Sequence, residues 1–107
     1  MIILEVHITN YIIGELRTFD TLKDRIEEAE KDELFNTNTL MRMHKNYKAI
    51  RKILNSLDEE ELKFFDLYFK QGYNRTGVCY RMHFEKNVFY RIKNKIINGV
   101  AKELGLS

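Results

Sequence analysis

The fold of this chain is decided by residues 74–98, which read NRTGVCYRMHFEKNVFYRIKNKIIN. Asn74 is a residue type that caps helix N-termini, and the apolar residues after it recur at helical spacing, which predicts a short helix over residues 75–82. A tight turn follows at residues 83–85, and a longer basic helix is predicted over residues 86–104. A short helix, a three-residue turn and a longer helix are typical of a helix-turn-helix.

The crossing of the two predicted helices calls for a small residue on the first helix and an apolar residue in the turn. Cys79 and Phe84 fulfil these requirements. On the second helix, Phe89, Ile92 and Ile96 fall three and four residues apart and continue the apolar side. The opposite side of this helix is therefore expected to face outward.

The outward side of the second helix carries side chains that suit base edges. Asn can pair with adenine through two hydrogen bonds, and Arg can do the same with guanine. Because the second helix of the motif enters the major groove, the pattern predicts a recognition helix over residues 86–98. Simple solvent exposure is the alternative interpretation. The residues concerned are Asn87, Tyr90, Arg91, Asn94 and Asn98.

Basic residues flank this stripe and are expected to contact phosphates, which set register and salt dependence rather than sequence preference. They are Arg81, Lys86, Lys93 and Lys95, and Arg75 opens the preceding helix. The full set of candidate DNA-binding residues is Arg75, Arg81, Lys86, Asn87, Tyr90, Arg91, Lys93, Asn94, Lys95 and Asn98.

A third helix is predicted just before the motif. Ser56 and Glu59 match a capping box, in which each side chain bonds the other residue's backbone amide. The helix is expected to begin near Asp58 and to end near Gly72, because glycine accepts the left-handed conformation that ends helices. Its apolar side is assigned to Leu62, Phe65, Leu67 and Phe69.

The first half of the chain is predicted to be a helical hairpin. An apolar stripe from Ile12 to Ala29 predicts one helix, residues 36–39 interrupt it, and Thr39 is the expected N-cap of the next helix. The opening residues 1–8 are ambiguous between strand and helix and are taken as helix or a frayed lead-in.

The second hairpin helix carries a heptad seam, formed by Leu40, Met43, Tyr47, Ile50, Leu54 and Leu57. A heptad seam implies a partner helix. One candidate is the preceding acidic helix folded back, whose carboxylates would lie beside the basic residues of the second helix. The other is a second copy of the chain, which would give a homodimer through Leu40, Met43, Tyr47, Ile50 and Leu54.

Composition supports an all-α fold of one small unit. The 107 residues include no proline and five glycines, and 44% are apolar, which is enough for a modest core. Two parts are expected, a hairpin arm over residues 1–55 and a helix-turn-helix domain over residues 56–107.

The net charge of +2 hides an uneven distribution along the chain. This pattern favours a polyanion-binding face at the basic end, although basic residues also simply solvate helices. The segments carry −5 over residues 1–38, +5 over 39–55, −4 over 56–62 and +6 over 63–107.

Several classes of function lack any signature in the sequence. There is no Ser/His/Asp pattern, glycine-rich phosphate loop or metal-ligand spacing, so neither an enzyme nor a cofactor or metal site is expected. The single cysteine, Cys79, cannot form an internal disulfide and is typical of a reducing cytoplasm. Residues 1–4 are too short an apolar run for a membrane span or a signal peptide.

Five short stretches carry a resemblance to a known family. They are Leu57-Asp58-Glu59-Glu60-Glu61-Leu62 with Leu67-Tyr68-Phe69, then Val78-Cys79-Tyr80-Arg81-Met82-His83-Phe84, Phe89-Tyr90-Arg91-Ile92-Lys93, and Ala101-Lys102-Glu103-Leu104-Gly105-Leu106. They resemble sigma-factor region four, and together with a helical first half the chain is similar to the RinA/ArpU-type phage late-gene transcription activators. The resemblance covers about residues 54–106. It implies a phage-encoded regulator in the host cytoplasm that acts with RNA polymerase.

Two residues depart from the family pattern. Glu85 stands where Ser or Thr usually caps the recognition helix, and Gly77 replaces a polar residue of the first helix. A carboxylate at that cap would face phosphate unfavourably, and glycine weakens a helix by about 1 kcal/mol.

Three hypotheses follow from these observations. The first is a sequence-specific regulator that binds double-stranded DNA through residues 86–98. The second is a protein-interaction module on the same scaffold, which Glu85 and Gly77 favour. The third is a DNA-packaging protein of the small-terminase type, in which the heptad seam would form rings.

Overall fold

The computed structural model describes residues 4–106, and every regular element in this range is helical, which confirms the all-α prediction. Residues 6–8 begin the first helix, while residues 1–3 of the ambiguous opening segment lie outside the described range. The elements are α1 at Val6–Arg17, α2 at Phe19–Lys31, α3 at Thr37–Ser56, α4 at Glu59–Phe65 running directly into a π-helix at Asp66–Lys70, α5 at Arg75–Met82 and α6 at Lys86–Glu103.

The N-terminal apolar stripe belongs to two helices, so the prediction of one helix from Ile12 to Ala29 was wrong. Thr18 interrupts the chain with φ −108° and ψ 13°, and its Oγ1 donates to the carbonyl of Gly14 at 3.0 Å. A threonine hydroxyl that bonds a carbonyl of the preceding turn competes with helical hydrogen bonding. Because α2 resumes after one residue, the periodicity of the stripe shows no gap.

The α2–α3 hairpin forms within the chain. Asn36, and not Thr39 as predicted, caps α3: its Oδ1 accepts from the Thr39 N–H at 3.1 Å. The seam of α3 faces the same chain, since Tyr47 stacks on Phe19 of α2 with ring centroids 5.4 Å apart and Ile50 and Leu57 are buried in the core. The homodimer through this seam stays a prediction, with Leu40, Met43 and Leu54 half-buried.

Apolar contacts rather than ion pairs hold this hairpin together. Among the described residues, no Lys or Arg of α3 pairs with a carboxylate of α2, and the one contact of this kind joins Nε2 of His44 to Oε1 of Glu30 at 2.9 Å. The carboxylates and cations expected to pair across the hairpin are instead exposed, whereas Leu22, Ile26 and Ala29 of α2 are buried. The sequence predicted the hairpin from an apolar stripe and from opposite charges on the two helices, and the structure supports the first of these reasons.

The main core crosses the predicted boundary between residues 55 and 56. Ile12 and Leu16 of α1 and Ile50 of α3 share one apolar cluster with Phe64 and Phe89. α1 packs against both α6 and the π-helix, so the N-terminal helix is part of the support of α6. The division into two domains stays a prediction.

α4 begins later than the predicted capping box would place it. The box is formed by Asp58 and Glu61: Asp58 Oδ1 accepts from the Glu61 N–H at 2.8 Å, and Glu61 Oε1 accepts from the Asp58 N–H at 3.1 Å. Ser56 still belongs to α3 and donates to the Ile53 carbonyl at 2.6 Å. Leu62, which was assigned to the apolar side, is 41% exposed, whereas Phe64 is fully buried.

The π-helix ends where the sequence predicted a helix end. Gln71 follows it, and Gly72 adopts φ 78°, a left-handed conformation that glycine accepts without strain. None of the described helices is long and apolar enough to cross a membrane.

Candidate nucleic-acid interface

The short helix, turn and long helix predicted after Gly72 are all present. Asn74 caps α5 as expected, with its Oδ1 accepting from the Gly77 N–H at 2.9 Å. His83 ends α5 in the left-handed region with φ 57°, and the N–H of Phe84 donates to the Cys79 carbonyl at 3.0 Å. Cys79 and Phe84 both pack against the core, which matches their predicted roles.

The predicted recognition stripe faces outward over the first part of α6. Asn87, Arg91 and Asn94 are exposed, whereas Asn98 is half-buried. Beyond this point α6 packs on α1 and α3, and Gly99 lies so close to α3 that a Cβ there would be 2.9 Å from Cδ1 of Ile53. The part of α6 open to a duplex is therefore its N-terminal half. Its buried side carries Phe89, Ile92 and Ile96.

A cationic corner joins the start of α5 to α6. The Nη1 group of Arg75 donates to the hydroxyl of Tyr90 at 2.9 Å, and its Cζ lies 5.8 Å from the ring centroid. The hydrogen bond from Arg75 lowers the pKa of the Tyr90 hydroxyl, and the positive charges of Arg75, Lys86 and Lys93 act in the same direction. The structure thus brings four of the predicted residues to one positive edge of α6.

Lys86 and Lys93 occupy different parts of this edge. Lys86 is the exposed first residue of α6. Lys93 is half-buried, and its Nζ lies 5.5 Å from the ring centroid of Tyr68 and 6.0 Å from that of Tyr90.

The other edge of α6 is acidic. Nζ of Lys95 lies 2.6 Å from Oε2 of Glu61, whose side chain is only 11% exposed. Arg91 borders the same side, in a cleft of about 230 Å³ lined also by Asp58, Glu60, Glu61, Ile92 and Lys95. Lys95 is therefore engaged with α4, in contrast to the cations of the Tyr90 edge.

Arg81 lies away from both edges. Its Cζ stacks 4.2 Å from the ring centroid of Tyr73. It lines a groove of about 440 Å³ with Lys63, Leu67, Tyr80 and His83, none of which belongs to α6. The structure does not bring Arg81 to the recognition stripe.

Sequence reasoning missed two residues at the positive edge, Tyr68 and Arg17. Nη1 of Arg17 donates to the Tyr68 carbonyl at 3.4 Å, and its Cζ lies 5.1 Å from the Tyr68 ring centroid. The two residues are 51 positions apart, so no local periodicity reports their contact. The one feature of the sequence that could have indicated this contact was the amphipathic side chain of Tyr68, which lies in the π-helix.

Helix order, turn geometry and outward stripe define the class of this chain as a helix-turn-helix protein. It is 37% identical to the transcriptional activator RinA of Staphylococcus phage phi11 over 57 residues. This similarity confirms the resemblance to RinA-type phage activators. The matched stretch is 53% of this chain and 41% of that relative, so it spans less than half of the relative's length. No family model matches the chain, and no solved structure matches it.

Proposed function

We propose that this chain is a phage transcription activator that binds double-stranded DNA with α6 in the major groove. The observation that carries the proposal is the stripe of Asn87, Arg91 and Asn94, which are exposed on the outward side of the N-terminal half of α6. The positive edge around Tyr90 supplies phosphate contacts that place this stripe. The similarity to a phage transcriptional activator supports the same function.

In this proposal the residues divide into two roles. Asn87, Arg91 and Asn94 read base edges, since their amide and guanidinium groups match adenine and guanine in the major groove. Arg75, Lys86 and Lys93 hold the backbone, with Tyr90 positioning Arg75. Contact with RNA polymerase is part of the proposal, and only the similarity to a phage transcriptional activator supports it.

The test starts from binding sites selected out of a random duplex pool. Arg91→Ala and Asn87→Ala should each reduce the preference for the selected site over random DNA by about tenfold, since a bidentate base contact contributes about 1–3 kcal/mol of discrimination. Arg51→Ala and Asn55→Ala are matched controls, because these residues are exposed on α3. Preference that survives both α6 variants would overturn the proposal.

A second candidate is a protein-interaction module, favoured by the carboxylates that border α6. Asp58, Glu60 and Glu61 line the cleft beside Arg91, and Glu85 precedes α6. A mobility-shift series against salt discriminates the candidates. DNA binding weakens steeply as salt rises because counterions are released, whereas the module predicts no retained duplex at any salt concentration.

A further inference from the structure

A line of alternating cations and aromatic rings runs along the positive edge of α6 and onto α1. Arg17 lies over Tyr68 at 5.1 Å, and Lys93 lies over the same ring at 5.5 Å. Lys93 also lies 6.0 Å from the ring of Tyr90, which Arg75 covers at 5.8 Å. We call these five residues the cation–aromatic ladder. It joins α1, the π-helix, α6 and α5.

The cations of the ladder are oriented but not neutralised. Among the described residues, Arg17, Arg75 and Lys93 form no ion pair with a carboxylate. The aromatic rings hold the positive groups by their faces, an attraction that leaves the net charge in place. Three fixed positive charges along one edge suit a ligand with regularly repeated negative charges.

The charges on the opposite edge of α6 indicate along which side of the helix such a ligand would bind. Lys95 is paired with Glu61, and Asp58 and Glu60 add carboxylates beside Arg91. On that edge the carboxylates offset the charges of Lys95 and Arg91, so a phosphate backbone would be attracted more strongly along the ladder. On the ladder side, the hydrogen bond from Arg75 lowers the pKa of Tyr90, and the positive charges of Arg75, Lys86 and Lys93 contribute to a smaller extent.

The geometry points to the ladder as a binding surface for the phosphates of one DNA strand, with Arg17 of α1 extending the contact beyond the helix-turn-helix. This inference rests on the proposed function. Arg17 is the last residue of α1, and its bond to the Tyr68 carbonyl restrains the guanidinium before any ligand arrives. Because α1 packs on α6 and the π-helix, Arg17 keeps a fixed place relative to the recognition stripe.

The experiment measures binding of the full chain to the selected duplex and to a random duplex of equal length, over a series of salt concentrations. Arg17→Gln should weaken both complexes by the same factor and reduce the slope of log K against log salt by about 1, as expected for one lost phosphate contact. Arg17→Lys should keep the slope. Arg51→Gln is the matched control, because Arg51 is an exposed cation of α3 outside the ladder. It should change the binding constants and the salt slope by less than Arg17→Gln does.

The outcomes separate this inference from the proposed function. If Arg17→Gln behaves like Arg51→Gln while Arg91→Ala still removes sequence preference, the ladder contact is wrong and the proposed function stands. If the unaltered chain binds neither duplex at low salt, both the ladder contact and the proposed function are wrong. Equal thermal unfolding of the unaltered chain, Arg17→Gln and Arg17→Lys shows that a loss of binding does not come from unfolding. If Arg17→Gln unfolds earlier, its binding is compared at a temperature well below its unfolding transition.

Discussion

His83 shows how one residue sets the path between the two helices of the motif. Its φ of 57° is the one positive value among non-glycine residues of the described chain. Histidine is tolerated in the left-handed region better than branched residues but still pays a steric cost that glycine avoids. The direction in which α6 leaves α5 therefore depends on a residue held in a conformation it does not prefer.

We expect His83→Gly to raise the free energy of unfolding by about 0.5–1 kcal/mol, because relief of the left-handed strain exceeds the greater flexibility of glycine in the unfolded chain. Denaturant unfolding followed by circular dichroism measures it. Tyr80→Gly is the control, since Tyr80 is 83% exposed inside α5 and glycine there should lower stability by about 0.5 kcal/mol. A loss of stability in both variants would contradict the argument.

The ends of the elements separate what sequence can predict from what it cannot. Asn74 and Gly72 were predicted correctly because a cap and a left-handed glycine act within a few residues of themselves. The break at Thr18 and the box at Asp58 were missed because neighbouring residues offered equally good local patterns. The π-helix depends on packing of the aromatic residues around Phe64, and no local rule distinguishes it from an α-helix.

The start of α6 carries the weakest cap of the motif. Glu85 makes no capping hydrogen bond, in contrast to Asn74 before α5. Glu85→Ser should raise the free energy of unfolding by about 1 kcal/mol, because a serine hydroxyl can accept from an unsatisfied N–H of the first turn. It should also strengthen DNA binding, since it removes a carboxylate next to the proposed phosphate contacts.

Glu85→Gln separates these two effects. It removes the charge without supplying a good cap, so DNA binding should strengthen while stability hardly changes. Unfolding curves and salt-dependent binding of both variants provide the measurement. If Glu85→Gln weakens DNA binding, the carboxylate supports the complex and the electrostatic argument is wrong.

At the scale of the whole molecule, the N-terminal helix and the helix-turn-helix share one core. Ile12 and Leu16 are buried against the elements that support α6. The sequence predicted the helices of both halves but not this joint core, because contacts between residues far apart in the chain leave no trace in local periodicity. The same limit explains why the candidate stripe on α6 was predicted and Arg17 was not.

Leu16→Ala should lower the stability of the helix-turn-helix itself by about 2–5 kcal/mol, the usual cost of such a truncation in a core. Cys79 is a half-buried reporter within α5, so its rate of reaction with a thiol reagent measures opening of this region. Asn10→Ala, on the exposed side of α1, should leave the rate unchanged. A Leu16→Ala protein with unaltered Cys79 protection would mean that the halves unfold separately.

The unequal edges of α6 have a consequence for any duplex it enters. If α6 enters a duplex as proposed, the strand on the Tyr90 side would meet Arg75 and Lys93, and the other strand would meet Lys95 already paired with Glu61. The two sugar-phosphate chains of the groove would then be held unequally. Most of the electrostatic contact would therefore fall on one strand of the bound site.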